Sequence, residues 1–273
     1  MLPMTDAEIV IEKVSKVYKA ESRAPVFALT ETTLAVAQGK FVCILGPSGC
    51  GKSTLLAMVA GLVRPTSGLI RVGGAPISGP GPERGLVFQD YGLFPWLTVR
   101  GNIAFGLTCR GMRRQERDAV VDKYVRLTGL TGFENRYPAE LSGGMKQRVA
   151  IGRTLANDPR VLLMDEPFGA VDALTREFLQ DEILRLWKVE RKTILFVTHS
   201  MMEAAYLADE IVMLRSRPGQ VFATVTVPLA RPRRRSDLEF LSFYSEAEET
   251  FKMEIARHAA IGDSREAVSG APH

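Results

Sequence analysis

The feature that most limits how this chain can fold is an apolar run, Phe41-Val42-Cys43-Ile44-Leu45. It stops at Gly46-Pro47-Ser48-Gly49-Cys50-Gly51-Lys52-Ser53 and hands over to a helix-patterned stretch, residues 53–62. A run that is apolar at every position reads as a strand buried on both faces, the habit of a parallel sheet. The eight residues that end it match the Walker A pattern of phosphate-binding loops. Each part has a physical reason. Glycines let the backbone turn tightly, so that several N–H groups converge on phosphate oxygens. The following helix aims its positive end at the same point. Lys52 adds a mobile point charge for the β- and γ-phosphates, and the Ser53 hydroxyl can ligate Mg²⁺. The candidate phosphate-binding residues are therefore Gly46, Pro47, Ser48, Gly49, Cys50, Gly51, Lys52, Ser53 and Thr54. A glycine turn without a ligand is the competing reading. The strand before the loop and the helix after it are the context that phosphate binding requires.

Further short apolar runs follow along the chain. Residues 8–17 partly alternate, residues 26–36 read similarly, and residues 86–88, 161–164, 193–197 and 211–214 are strand-sized. Strands separated by helix-patterned stretches predict an α/β core with a mainly parallel sheet. Between about residues 91 and 157 the pattern is helical, notably over 115–127 and 145–156, which predicts an inserted helical subdomain. A short helical extension is expected over 233–260, and residues 261–273 have the small, polar composition of a mobile tail. No internal repeat is visible, so the chain carries sequence for one nucleotide site. No run approaches the roughly 20 apolar residues of a membrane span, and the first residues lack the pattern of a signal peptide. Membrane association is therefore expected to come through a partner. Cys43, Cys50 and Cys109 show no metal spacing and read as reduced thiols of a cytoplasmic protein. The net charge of +4 is mild. Much of the excess sits in Arg231-Pro232-Arg233-Arg234-Arg235 and between Arg110 and Arg117, which read as solvated surface, with phosphate or anionic lipid as the alternative.

A second apolar strand, Val161-Leu162-Leu163-Met164, ends in Asp165-Glu166. Carboxylates at the C-terminal end of such a strand lie where open α/β sheets bind ligands. Asp165 is the candidate Mg²⁺ holder, through water, and Glu166 the candidate for polarising an attacking water. The run 193–197 ends at Thr198-His199, and a histidine there is suited to touch a γ-phosphate, although a satisfied strand-end histidine is the commoner case.

Leu141-Ser142-Gly143-Gly144-Met145-Lys146-Gln147-Arg148 resembles the LSGGQ-type signature of ABC ATPases, with Met145 where Gln is usual. Chemically it is a Ser-Gly-Gly turn opening a helix, hence an anion site. Taken with the phosphate loop before it and the acidic strand end after it, the resemblance to ABC transporter ATP-binding subunits covers roughly residues 9–227. It implies a P-loop NTPase (RecA-like) fold over residues 8–232, with an N-terminal antiparallel β subdomain beside the parallel core. It implies ATP and Mg²⁺ as ligands, with Tyr18 stacking on adenine. Gln89 then senses Mg²⁺ and γ-phosphate, so that Ser53, Gln89 and Asp165 form the metal set and Glu166, His199 and Gln89 the catalytic one. Gly169-Ala170-Val171-Asp172 resembles the D-loop, with Val171 where Leu is usual. The resemblance further implies that Ser142, Gly143, Gly144 and Met145 close in trans on ATP held by a second ATPase subunit, in a homodimer or with a close homologue.

Residues 87–99, Val-Phe-Gln-Asp-Tyr-Gly-Leu-Phe-Pro-Trp-Leu-Thr-Val, are dense in apolar and aromatic side chains. As a group they look like the groove lip that receives a permease's coupling helix, with Phe94, Trp96 and Leu97 as anchors. Residues 90–107, the tetrapeptide Arg217-Pro218-Gly219-Gln220, and Pro228-Leu229-Ala230-Arg231-Pro232 are similar to the nitrate/sulfonate/taurine importer branch. The implied function is an ATP-hydrolysing subunit that powers import of a small anion. It would sit peripherally on the cytoplasmic face of the inner membrane, against a transmembrane permease, served indirectly by a periplasmic or surface solute-binding protein. Nucleic acid is not expected as a partner. The alternatives are a soluble ABC ATPase acting on nucleic acid or ribosomes, which usually carries long coiled-coil insertions or two signatures, and an exporter subunit. A partner-free P-loop kinase or GTPase is disfavoured by the signature.

Overall fold

The computed structural model describes residues 7–20, 23–169, 171–216 and 218–269. The strands in chain order are β1 (Ala7–Ala20), β2 (Arg23–Ala37), β3 (Phe41–Leu45), β4 (Ser67–Val72), β5 (Ala75–Pro76), β6 (Arg84–Val87), β7 (Val161–Asp165), β8 (Thr193–Thr198), β9 (Glu210–Arg215) and β10 (Gln220–Thr226). The helices are α1 (Lys52–Val59), α2 (Val99–Cys109), α3 (Arg114–Leu127), α4 (Gly143–Ala156), α5 (Ala173–Glu190), α6 (Met201–Leu207) and α7 (Leu238–Ser269). Two sheets result. An antiparallel sheet runs β2-β1-β4-β5, and a second runs β10-β9-β3-β8-β7-β6. In the second sheet β9, β3, β8, β7 and β6 are parallel, and β10 adds antiparallel to β9.

The all-apolar strands become the centre of the parallel sheet because both of their faces are covered. Every residue of β3 and β8 is buried. Alternation along β3 sends Val42 and Ile44 into a core shared with Ile9, Ile11, Leu55 and Leu56, between the two sheets and around α1. Phe41, Cys43 and Leu45 face the other way, into a core with Phe196, Val149 and Leu155 that continues among the helices. There Phe41 and Phe168 each pack on Phe196, with centroids 5.8 and 5.6 Å apart. The expected α/β architecture is therefore present, with its antiparallel subdomain, and α2 to α4 fall within residues 91–157.

Three details differ from the sequence reading. Strand β6 ends at Val87, so Phe88 and Gln89 both stand in the loop beyond it. Helix α7 begins at Leu238 and continues to Ser269, past residue 260. Residues 270–273 lie outside the described residues.

The third difference is the run 231–235, in which only Pro232 and Arg234 are exposed as a solvated patch would be. Arg231 pairs with Asp209 and lies 4.6 Å over the Trp187 ring. Arg233 is only 7% exposed and donates to the carbonyls of Ala205, Tyr206 and Ala208 at 2.9, 3.0 and 2.7 Å, satisfying the end of α6. Arg235 stacks 3.6 Å over Tyr206 and donates to Gln180. Among the described residues no helix is long and apolar enough to cross a membrane. Cys43, Cys50 and Cys109 are free thiols, the first two buried.

Candidate functional site: a phosphate loop between two carboxylates and a histidine

The loop leaves the end of β3 and enters α1 through Gly51, which has a φ of 91°. A β-carbon at Gly51 would collide with the Ala28 carbonyl of β2, so glycine is required by both conformation and space. Helix α1 has no side-chain cap, leaving the N–H groups of its first turn free of intrahelical partners. Lys52, 4% exposed, folds back over the loop and donates to the Gly46 and Pro47 carbonyls at 2.9 and 3.0 Å.

Strand β7 is separated from β3 by β8 alone, which brings its acidic end beside the loop. The two adjacent carboxylates take different partners. Asp165 accepts from the Ser53 hydroxyl at 2.9 Å. Burial pushes the Asp165 carboxyl up, an effect that the Ser53 hydrogen bond opposes. Glu166 has a positive φ of 41° and its N–H donates to the Val197 carbonyl of β8 at 3.1 Å. That conformation is costly for a residue with a side chain, on the order of 1 kcal/mol or more, and such strain gathers at functional sites. It turns the Glu166 carboxylate across the loop. One oxygen lies 3.4 Å from Lys52 Nζ, and the other 2.9 Å from His199 Nδ1.

An open cavity of about 570 Å³ adjoins this cluster, lined among others by Tyr18, Phe27, Lys52, Ser53, Gln89 and Glu166, with Asp165 and His199 outside that lining. Residues far apart in sequence thus meet: Tyr18 from β1, the phosphate loop, Gln89 after β6, and Glu166 after β7. The Lys16 ammonium sits 4.9 Å over the Tyr18 ring and occupies one of its faces.

Other predicted residues are not brought to this cavity within the chain. Ser142 caps α4, its Oγ accepting from the Met145 N–H at 3.3 Å. Gly144 packs so closely on Thr175 of α5 that a β-carbon would not fit. Asp172 caps α5 by accepting from the Thr175 N–H at 3.0 Å, a bond that holds its carboxyl below the ordinary range. The signature and the Asp172 turn therefore abut each other and leave the phosphate cavity to other residues. Ala170 and Arg217 lie outside the described residues.

The aromatic stretch after Gln89 forms a second, separate hollow of about 510 Å³, lined by Phe88, Phe94, Phe105, Cys109, Arg110 and Arg153 among others. Trp96 stands 69% exposed beside it, 5.6 Å from the Phe94 ring. Leu97 lines a neighbouring hollow with Arg100 and Arg117 instead. Two residues that the sequence reading gave no structural role build this lip. Asn102, fully buried in α2, donates to the carbonyls of Phe94, Leu97 and Thr98 and accepts from the Phe94 N–H at 2.9 Å. Arg153 of α4 donates to the Gly92 and Tyr91 carbonyls and lies 5.4 Å from the Phe94 ring centroid. The usable signal for Asn102 was an amide among apolar neighbours four residues after a Thr cap.

A parallel sheet with a glycine loop cradling a lysine, and an acidic strand end two strands away, defines a P-loop nucleotide-binding protein. The family model described as ABC transporter matches residues 29–169, and the chain belongs to this family as one of its ATPase subunits. It is 48% identical over 225 residues to the taurine import ATP-binding protein of Burkholderia pseudomallei, covering 82% of this chain and 86% of that one. It is 47% identical over 216 residues to the nitrate import ATP-binding protein of Synechococcus elongatus, covering 78% and 79% respectively. Among solved structures, a dimeric ATP-binding cassette in a post-hydrolysis state, bound to ADP and phosphate, is 31% identical with a TM-score of 0.71. The match covers 81% of this chain and 100% of that one.

Proposed function

We propose that this chain binds ATP with Mg²⁺ in the phosphate-loop cavity and hydrolyses it as half of a dimer, driving a transmembrane permease that imports a small anion. The observation that carries this reading is the Glu166 carboxylate, held between Lys52 and His199 at the mouth of the loop. A base in that position can draw the proton from a water as its oxygen bonds to the γ-phosphorus, while the bond to the β–γ bridging oxygen breaks and ADP leaves with that oxygen. His199 orients the water and the γ-phosphate, and Tyr18 offers adenine its open face.

Ser53, Asp165 and Gln89 fit Mg²⁺. The serine hydroxyl and a carboxylate meet at 2.9 Å, and the glutamine lines the same cavity. Among the described residues no cluster of three or more His, Cys, Asp or Glu forms a cage of its own. That suits an ion which draws most of its oxygens from phosphates and water and whose chemistry is to neutralise phosphate charge. Ser142, Gly143, Gly144 and Met145 lie outside the lining of the chain's own phosphate cavity and serve a partner's nucleotide.

The permease docks at the hollow beneath Phe94 and Trp96, placing the chain peripherally on the cytoplasmic face of the membrane. The importer names of the nitrate and taurine relatives support a small oxoanion or sulfonate as cargo, delivered by a solute-binding protein. Glu166→Gln tests the core of the proposal. It is expected to keep ATP binding, lose turnover roughly 100-fold or more, and accumulate as an ATP-bound dimer on size-exclusion chromatography. A wild-type ATPase rate in that variant would remove Glu166 from the role.

A further inference from the structure

Helix α6 opens with Ser200-Met201-Met202-Glu203, which reads as a capping box, in which the glutamate returns to the N–H of the capping serine. Only half of that box forms. Ser200 Oγ accepts from the Glu203 N–H at 3.3 Å, but the Ser200 N–H donates instead to Thr198 Oγ1 at 3.0 Å. The Glu203 carboxylate is directed inward. One oxygen accepts from the Thr198 hydroxyl at 2.6 Å, and the other accepts from Gln180 Nε2 of α5 at 3.2 Å, with Arg176 Nε 3.9 Å away. The Gln180 carbonyl in turn accepts from Arg235 at 2.6 Å. Thr198, Gln180 and Glu203 are 2, 4 and 8% exposed. A carboxylate buried to that degree is costly unless its hydrogen bonds are made. These bonds converge on the two residues that flank His199.

We propose that Glu203 is a positioning residue for ATP hydrolysis: through Thr198 and Ser200 it clamps the β8–α6 turn so that His199 meets Glu166. The inference rests on the proposed role of His199 and extends it to residues that touch neither nucleotide nor water. The His199 side chain is 57% exposed, and its 2.9 Å contact with Glu166 is the one hydrogen bond it makes among the described residues. Its place is therefore set by the backbone on either side. Both flanking residues are tied, by way of the Thr198 hydroxyl, to the same buried carboxylate. Arg235 holds the far end of this chain of bonds from the segment that leads into α7.

The test measures ATPase kcat and KM for Thr198→Val, Thr198→Ser, Glu203→Ala, His199→Ala and the double variant His199→Ala/Thr198→Val. Thr198→Val keeps the buried volume and replaces the hydroxyl with a methyl, so that its bonds to Glu203 and to the Ser200 N–H are both lost. It is expected to lower kcat about 10- to 100-fold, the scale of an ångström-sized misplacement, with KM for ATP within about twofold of wild type. Thr198→Ser restores the rate, and Thr198→Val costs nothing further once His199 is alanine. Wild-type turnover in Thr198→Val, or an equal loss with and without His199, would overturn the clamp. Wild-type turnover in His199→Ala would instead overturn the role of the histidine, and the clamp with it. Should Glu203→Ala fail to fold, the threonine pair decides the matter alone.

Discussion

Two segments of this chain are rich in arginine, residues 110–117 and residues 231–235, and the fold treats them in opposite ways. In the first, Arg114 is 88% exposed and reaches Asp118 only at 3.7 Å, while Arg110 touches the Asn157 carbonyl from the surface. In the second, Arg231, Arg233 and Arg235 are drawn against Trp187, the end of α6 and Tyr206. Burial is strong enough there to push the Arg233 guanidinium down to about 10, with the charge of Arg231 adding to the effect. The difference teaches that charge density along a sequence does not decide exposure. What decides it is whether carbonyls and aromatic faces lie within reach, as the last turn of α6 and its neighbours do for Arg233.

Substitutions can break or sharpen this contrast. Arg233→Met is expected to have the largest effect, because it leaves the carbonyls of Ala205, Tyr206, Ala208 and Leu229 without their donor. A loss of about 3 kcal/mol in urea unfolding is expected, and a loss under about 1 kcal/mol would mean that water replaces the guanidinium. Arg231→Ala should cost less, roughly 1–2 kcal/mol by the same measurement. Its partner Asp209 keeps a second bond, accepting from the Phe41 N–H at 2.9 Å. Arg114→Ala should change stability by no more than about 0.5 kcal/mol. An effect as large as that of Arg231→Ala would show that the first segment is also structural.

The same division runs through the functional regions. The phosphate loop was legible because its chemistry lies in the backbone and in eight consecutive residues, Gly46 to Ser53. The order of strands beyond it was not, since nothing local in Val161–Asp165 says that β8 will lie between β7 and β3. Glu166 was identifiable as an acid after a strand, yet its bond to His199 is made from a backbone of positive φ whose N–H is tied to the Val197 carbonyl of another strand. Asn102 carried a weak signal, because its partners are carbonyls four to eight residues upstream that become neighbours only once the chain turns back into α2. Glu203 carried a misleading one. Its spacing from Ser200 fits a local cap, and the bonds its carboxylate makes are to Thr198 and Gln180.

By itself, then, the sequence determined the period of each element, the phosphate loop and the identity of the acids, because these follow from side-chain type and short spacing. Tertiary structure alone decided which arginines are buried and that Lys52, Glu166 and His199 form one line of contacts. Those outcomes depend on groups separated by tens to hundreds of residues, whose approach is set by the packing of two cores on the two faces of the sheet. No local pattern encodes such an approach; it is a property of the closed fold.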